Sequence, residues 1–94
     1  MSENRKFSVL MSVYVKENPV FLEEAVESII HQTLKPSEVV IVEDGPLTPE
    51  LYQVLEKLEA QSSIPIKRCP LEQNRGLGLA LQYGVLQCQY DVIA

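Results

Sequence analysis

The hydrophobic residues of the chain follow two patterns. Some form short continuous apolar runs, and others recur at helical spacing between those runs. Residues 7–14 (FSVLMSVY) and 39–42 (VVIV) are nearly continuous apolar runs of strand length, which is typical of strands covered on both faces of a parallel sheet. Residues 64–69 (IPIKRC) predict a third strand, which an internal proline and two charges place at a sheet edge. Residues 90–94 predict the beginning of a fourth strand.

Between these runs, apolar residues recur at helical spacing. The first helix is predicted to begin after Asn18-Pro19, a capping residue followed by proline at the first helical position. Its apolar stripe consists of Phe21, Leu22, Ala25, Val26, Ile29 and Ile30. Thr48-Pro49 gives the second helix the same kind of start, with a core stripe of Leu51, Val54, Leu55 and Leu58. A third helix is predicted over residues 75–87, with Asn74 as its cap.

The order βαβαβαβ predicts an α/β fold of three layers, α/β/α, with right-handed crossovers. With the third strand at an edge, the mostly parallel, Rossmann-like sheet takes the order 3-2-1-4. Ligands of such sheets bind outside the carboxyl ends of the strands, where the chain reverses direction. The loops over residues 12–17, 43–47 and 70–76 converge there, so the sequence predicts a binding site at this edge.

Composition narrows the classes of function. The 94 residues make one domain, and 46% hydrophobic with 22% charged residues is typical of a folded globular protein. A net charge of −5 argues against binding to nucleic acid. A polar N-terminus predicts no signal peptide, and no apolar run reaches the ~18 residues of a membrane span. Cys69 and Cys88, with His31 as the single histidine, predict reduced thiols rather than a zinc site.

The first loop, residues 12–17, has no glycine. This excludes the GxGxxG turn and the P-loop, which both need bare backbone against phosphate. Ser12 and the backbone near Val13 and Tyr14 are therefore the candidate nucleotide contacts on this loop. Alternatively, Ser12 and Tyr14 only finish the strand.

Asp44 follows the second strand and precedes Gly45-Pro46. A carboxylate at the tip of a central parallel strand can accept hydrogen bonds from a nucleobase imide or a ribose. The alternative is a turn aspartate that bonds its own backbone. Glu43 is expected to point away from Asp44, because neighbours on a strand face opposite sides.

Residues 74–78 (NRGLG) open the third predicted helix. Each of the two glycines disfavours a helix by up to ~1 kcal/mol relative to alanine. A ligand or a neighbouring backbone is therefore expected to come close, and a helix N-terminus beside Arg75 suits phosphate. The alternative is a glycine packing contact against the first strand.

Four segments, in this order, resemble glycosyltransferase family two of the GT-A fold. They are residues 7–14, 22–33 (LEEAVESIIHQT), 40–46 (VIVEDGP) and 74–76 (NRG), and together they cover nearly the whole chain. The variant EDGPLT is similar to bacterial transferases of exopolysaccharide, capsule and lipopolysaccharide assembly. Most members have Asp-Gly-Ser at this motif, so Pro46 is a departure.

The resemblance implies roles for matching residues. Ser12 and the adjoining backbone would line the nucleotide pocket, Asp44 would hold the base, commonly uracil, and Asn74, Arg75 and Gly76 would meet the base or the diphosphate. The implied enzyme transfers a hexose from a nucleotide-diphosphate donor, a UDP-sugar, to a growing glycan or lipid-linked acceptor. It would work in the cytoplasm, at the inner face of the membrane.

In the family, an Asp-x-Asp motif that binds Mn²⁺ or Mg²⁺ follows the fourth strand. We therefore expect residues 1–94 to form the N-terminal, nucleotide-sugar-binding part of the domain, with the cation and the catalytic residues supplied by the full-length protein. Alone, this part is expected to bind no metal, to be inactive, and to dimerise through its truncated sheet edge. The alternative is a non-enzymatic α/β nucleotide-binding or interaction module, and a lack of nucleotide binding would favour the interaction module.

Overall fold

Four strands form one parallel sheet. The structure is a computed structural model and describes residues 6–93; the polar N-terminus and the Ala94 end of the fourth predicted strand lie outside this range. The strands are β1 (Phe7–Val13), β2 (Glu38–Glu43), β3 (Ile66–Pro70) and β4 (Asp91–Ile93). They are ordered β3-β2-β1-β4, and every neighbouring pair is parallel. The predicted order 3-2-1-4 and the edge position of the third strand are confirmed.

Three helices connect the strands: α1 (Pro19–Ile30), α2 (Pro49–Gln61) and α3 (Leu77–Gln87). The caps predicted for α1 and α2 are present. Asn18 Oδ1 accepts hydrogen bonds from two main-chain N–H groups at 2.8 and 3.1 Å, and Thr48 Oγ1 accepts one at 3.2 Å. Each cap satisfies donors that the first helical turn leaves without a partner. Among the described residues, no helix has the length and apolar composition needed to cross a bilayer.

The side chains of β2 alternate between two hydrophobic clusters. Val39 and Ile41 pack with the buried faces of α1 and α2, whereas Val40 and Val42 pack with Ala80 of α3. These strand residues are completely buried. Because both faces of β2 are covered, its sequence is continuously apolar, and the predicted three layers are confirmed.

Helix α3 lies very close to the sheet at Gly84. A Cβ atom on Gly84 would lie 2.8 Å from Val42 Cγ2 and would also overlap Leu10. The outward surface of α3 is apolar as well, with exposed Leu77, Leu79, Val85 and Leu86. The fully buried residues of the helix, Ala80 and Gly84, are small, and several of its large residues are exposed.

Two details of the predicted elements were wrong. Phe21 and Ala25 belong to the predicted apolar stripe of α1, yet both are exposed. Burial follows a single row, Leu22, Val26 and Ile30, so the adjacent row of Phe21 and Ala25 turns outward.

Strand boundaries also moved by a residue or two. β1 ends at Val13, so Tyr14 lies in the loop, and β2 extends through Glu43. Pro65 precedes β3 instead of lying inside it, and its carbonyl accepts the amide of Val39 at 2.9 Å. Because Pro65 precedes the strand, its missing N–H group does not interrupt the hydrogen bonds between β3 and β2. Both cysteines are free, as predicted.

Candidate functional site

A cavity of about 410 Å³ lies at the carboxyl edge of the sheet. All three loops predicted to converge there contribute to it. The lining residues are Ser12, Tyr14, Glu17, Asp44, Asn74, Gly76 and Leu77. The cavity lies at the carboxyl ends of β1 and β2, where ligands of parallel sheets bind.

Asp44 connects all three loops. Its main-chain amide donates to the carbonyl of Val13 at 2.7 Å, which extends the pairing of β1 and β2 by one residue. Its carboxylate accepts the amide of Arg75 at Oδ1, at 2.7 Å, and the amide of Gly76 at Oδ2, at 3.1 Å. The residue is only 3% exposed. Asp44 therefore bonds main-chain groups of a distant loop, whereas a local turn aspartate would bond its own neighbours.

Asn74 closes a turn on itself and does not cap a helix. Its Oδ1 accepts the amide of Gly76 at 3.1 Å, and its Nδ2 donates to the Asp44 carbonyl at 3.3 Å. The cap position of α3 is Gly76, which has φ of 90° and makes no side-chain cap bond. The prediction that Asn74 caps the helix was wrong, because the left-handed backbone at Gly76 delays the helix until Leu77.

Glycine is required near the cavity for different structural reasons at different positions. Gly45 has φ of 89°, and a Cβ atom on it would lie 2.7 Å from the Asn74 main-chain nitrogen. Among residues 6–93, apart from chain neighbours and the backbone of the same helix, no atom lies within 4 Å of where a Cβ on Gly76 or Gly78 would stand. No neighbouring backbone therefore comes close at these two positions, and the alternative of a packing contact with β1 was wrong; the close approach of a ligand stays a prediction. Gly76 is required by its backbone conformation, and Gly45 by close contact.

The other candidate residues differ in their placement. Half-buried Ser12 and exposed Tyr14 line the cavity. The side chain of Val13 is buried in the core, and its carbonyl is used by Asp44. Arg75 is exposed and contributes its amide to the Asp44 carboxylate. Ser12, Tyr14 and Asp44 are thus the members of the predicted set on the first two loops that line the cavity.

Glu17 and Leu77 line the cavity without having been predicted. The amide of Glu17 donates to the Tyr14 carbonyl at 3.0 Å, so a tight turn brings Glu17 back to the cavity. Leu77 is 65% exposed at the first residue of α3. One feature of the sequence could have identified Leu77. It is an isolated leucine at the start of a helix, and it does not enter the core.

Glu43 points away from the cavity, as predicted. It is 3% exposed, and its Oε2 accepts Arg68 Nε at 2.5 Å. Arg68 Nη1 also contacts Glu59 Oε1 at 3.3 Å. Burial alone would lower the pKa of Arg68, but the hydrogen bonds and charges of Glu43 and Glu59 raise the pKa above its ordinary value. The charge of Glu43 is therefore balanced on the side of β3, outside the cavity.

The cavity residues do not by themselves make a metal site. Within residues 6–93, no group of three or more His, Cys, Asp or Glu side chains is placed to hold a metal ion. Both oxygens of Asp44 already accept main-chain N–H groups. Divalent Mg²⁺ or Mn²⁺ prefers several oxygen ligands that are open to it, so the donor set present does not fit such an ion.

The family described as Glycosyl transferase family 2 matches residues 8–94. This chain belongs to that family. The family membership accords with the parallel sheet of order 3-2-1-4 and with the Rossmann-like, GT-A type of fold expected from the sequence.

Three relatives of this family 2 chain are glycosyltransferases by name. An uncharacterized glycosyltransferase of Haemophilus influenzae is 52% identical over 86 residues, which are 92% of this chain and 32% of the relative. A UDP-Gal:alpha-D-GlcNAc-diphosphoundecaprenol beta-1,3-galactosyltransferase of Escherichia coli is 46% identical over 94% of this chain and 31% of its own length. An amylovoran biosynthesis glycosyltransferase of Erwinia amylovora is 43% identical, with coverages of 94% and 32%. The family 2 chain thus spans about a third of the length of these curated relatives.

Proposed function

We propose that residues 1–94 form the donor-binding region of a glycosyltransferase. The enzyme would move a sugar from a nucleotide diphosphate to a growing glycan or lipid-linked acceptor in bacterial surface polysaccharide synthesis. Membership of family 2 and the names of the relatives support the reaction class. The observation that carries the proposal is a buried carboxylate, Asp44, which lines a cavity at the carboxyl edge of a parallel sheet.

The cavity residues suit different parts of the donor. A carboxylate has about four acceptor sites and Asp44 uses two, so it can still accept the imide N–H of a uracil ring. Ser12 and Tyr14 contribute a hydroxyl and an aromatic ring to the lining of the cavity. We assign Asn74, Arg75 and Gly76, which lie at the start of α3, to the base or the diphosphate. The UDP-Gal in the name of the Escherichia coli relative supports a UDP-sugar donor.

The divalent cation of the donor complex belongs elsewhere in this proposal. Because the donor set of the cavity does not fit Mn²⁺ or Mg²⁺, we assign the cation to the family's Asp-x-Asp motif, which is not among the residues described. The site of action proposed for the enzyme is the cytoplasmic face of the membrane, where a lipid-linked acceptor and a soluble nucleotide sugar can meet.

Titration calorimetry with UDP tests the proposal. We expect measurable binding, and Asp44→Ala should lower the affinity about ten- to a hundredfold, because a hydrogen bond to a charged group contributes roughly 1.5–3 kcal/mol. Glu56→Ala, an exposed change on α2, is the matched control and should bind like the wild type. Adding Mn²⁺ should change the affinity little in this chain.

Two results would contradict the proposal. An absence of UDP binding at millimolar concentration would favour a non-enzymatic interaction module. Strong dependence on Mn²⁺ would show that the cation site has been placed wrongly.

Self-association is a separate proposal about partners. β4 is a three-residue edge strand, and the neighbouring α3 exposes Leu77, Leu79 and Leu86. Open strand edges and apolar patches recruit partners, so we expect dimers in sedimentation at raised concentration. A monomer whose melting temperature does not depend on concentration would contradict this expectation.

A further inference from the structure

We propose that Asp44 and Gly45 are positioning residues that hold the turn Asn74–Gly76 in place before any ligand arrives. The role in ligand binding rests on the proposed function, but the positioning itself is a property of the free protein. In this view Asp44 acts on the nucleotide in two ways: by direct contact, and through the wall of the cavity that it holds.

The first support is how the carboxylate of Asp44 is used. Its two oxygens accept two successive main-chain amides, of Arg75 and Gly76, at 2.7 and 3.1 Å. The carboxylate is buried while Arg75 is exposed. Bonds from amides to a charged acceptor are the strong class of hydrogen bond, so this pair fixes both the position and the direction of the turn.

The second support is the contact at Gly45. A Cβ atom there would lie 2.7 Å from the nitrogen of Asn74 and 3.1 Å from its Cα. The side-chain amide of Asn74 also donates to the carbonyl of Asp44 at 3.3 Å. The turn is thus held against the end of β2 by backbone contact as well as by the carboxylate, and only glycine permits this distance.

A preset turn has a consequence for affinity. Gly76, whose amide Asp44 holds, and Leu77, which follows it, both line the cavity. A ligand that binds to a turn already held in position does not have to order that turn. The smaller entropic cost of binding raises the affinity. Substitutions that release the turn should therefore weaken binding even where the altered side chain does not touch the ligand.

Amide hydrogen exchange by NMR, in the protein without nucleotide, tests the positioning. We expect the amides of Arg75 and Gly76 to be protected in the wild type. In Asp44→Asn the side chain offers one acceptor oxygen and turns an NH₂ group toward the other amide, so protection of at least one amide should fall about tenfold or more. Exchange of both amides at the rate of an unfolded chain in the wild type would overturn the proposal, as would unchanged protection in Asp44→Asn.

A pair of glycine variants separates positioning from direct contact. Gly45→Ala should lower the protection of both amides and lower UDP affinity about tenfold. Gly78→Ala, whose new methyl group meets open space in α3, should leave protection and affinity unchanged. If Gly45→Ala does not fold, Asn74→Ala replaces it. This change at an exposed residue should reduce the protection of Gly76, because Asn74 Oδ1 also accepts that amide.

The two proposals fail in different ways. Absence of UDP binding in the wild type contradicts the donor-binding function, while protection of Arg75 and Gly76 still supports the preset turn. Equal UDP affinity in folded Gly45→Ala and Gly78→Ala would overturn the positioning role, while leaving the binding site intact.

Discussion

Two buried carboxylates flank strand β2, Glu38 as its first residue and Asp44 just after its last, and the two hold different parts of the chain. Glu38 is the first residue of the strand, and its Oε2 accepts the Ser8 hydroxyl and the amide of Gln89, both at 2.6 Å. At the other end, the two oxygens of Asp44 accept the amides of Arg75 and Gly76. Each carboxylate therefore fixes a segment of the last third of the chain against the centre of the sheet.

The two carboxylates differ in how many of their oxygens accept these hydrogen bonds and in what lies beside those oxygens. Glu38 uses one oxygen for both bonds, next to a completely buried serine. Asp44 uses one oxygen for each bond and lines the open cavity. A side-chain amide has a single acceptor oxygen, so it can replace Glu38 but not Asp44. The same kind of contact stabilises the fold at one end and shapes the site at the other.

Glu38→Ala is expected to have the largest effect on stability. It leaves the Ser8 hydroxyl and the Gln89 amide without their acceptor, and each such loss destabilises by about 1–3 kcal/mol. The free energy of unfolding, from urea denaturation followed by circular dichroism, should fall by about 3 kcal/mol. Glu56→Ala, an exposed change on α2, should stay within about 0.5 kcal/mol. A loss below about 1 kcal/mol in Glu38→Ala would show that this end of β2 is held by other contacts.

Arg68→Met tests the charge balance at the site end. The change leaves Glu43, which is 3% exposed, without its cation, and the partial exposure of Arg68 allows some water to enter. We expect a loss of about 2 kcal/mol in the free energy of unfolding. Lys67→Met, at an exposed position of the same strand, is the control. Equal stability of the two variants would mean that Glu43 does not depend on Arg68.

Replacing each carboxylate by the corresponding amide tests the difference between Glu38 and Asp44 most directly. Glu38→Gln should lose less than about 1 kcal/mol of stability, because one oxygen can keep both of its bonds. Asp44→Asn should lower UDP affinity about tenfold, since its NH₂ group cannot accept the second amide. The measurements are urea denaturation for the first and calorimetry for the second. A Glu38→Gln variant as unstable as Glu38→Ala would abolish the distinction.

The smallest expected effect concerns Cys69, whose thiol is influenced by both ends of β2. Burial raises the pKa of Cys69 above its ordinary value of 9.0, and the charges of Glu43 and Glu38 raise it further, against an opposing effect of Lys67. A folded-state pKa above the unfolded value means that its contribution to stability is complete below pH 9.0 and is lost as the pH rises through the folded-state pKa.

The free energy of unfolding should therefore be flat from pH 7 to about pH 8.5 and should decline above pH 9. The decline should be smaller in Cys69→Ala. Stability that rises between pH 9 and 10 in the wild type, relative to Cys69→Ala, would contradict the sign. Alkylation of Cys69 in the folded protein should also be slower than in urea, because burial disfavours the thiolate.

The sheet could be predicted because its signals are local and agree with one another. The runs at residues 7–14 and 39–42 are apolar enough to require cover on both faces, whereas Pro65, Lys67 and Arg68 mark an edge. Together these features leave one order of strands, and the structure has it. The location of the cavity follows from that order, so it could also be predicted.

The contacts that shape the site were not available from local pattern. The bonds of Asp44 span 31 and 32 positions, and that of Glu38 to Gln89 spans 51. Nothing near residues 38 or 44 indicates which distant amide each carboxylate will accept. Asn74 shows the same limit at short range, because the side-chain oxygen that caps a helix also closes a turn two residues on. The backbone at Gly76 decides between the two.

Gly84 shows which positions of α3 can be substituted and which cannot. Its missing side chain brings α3 down onto Leu10 and Val42, so a mutational library at this position should recover little besides glycine. Six residues earlier, Gly78 has open space around it, next to Leu77 at the cavity wall. An engineer can therefore vary residue 78 without disturbing the packing of α3, while residue 84 keeps the helix at its distance from the sheet.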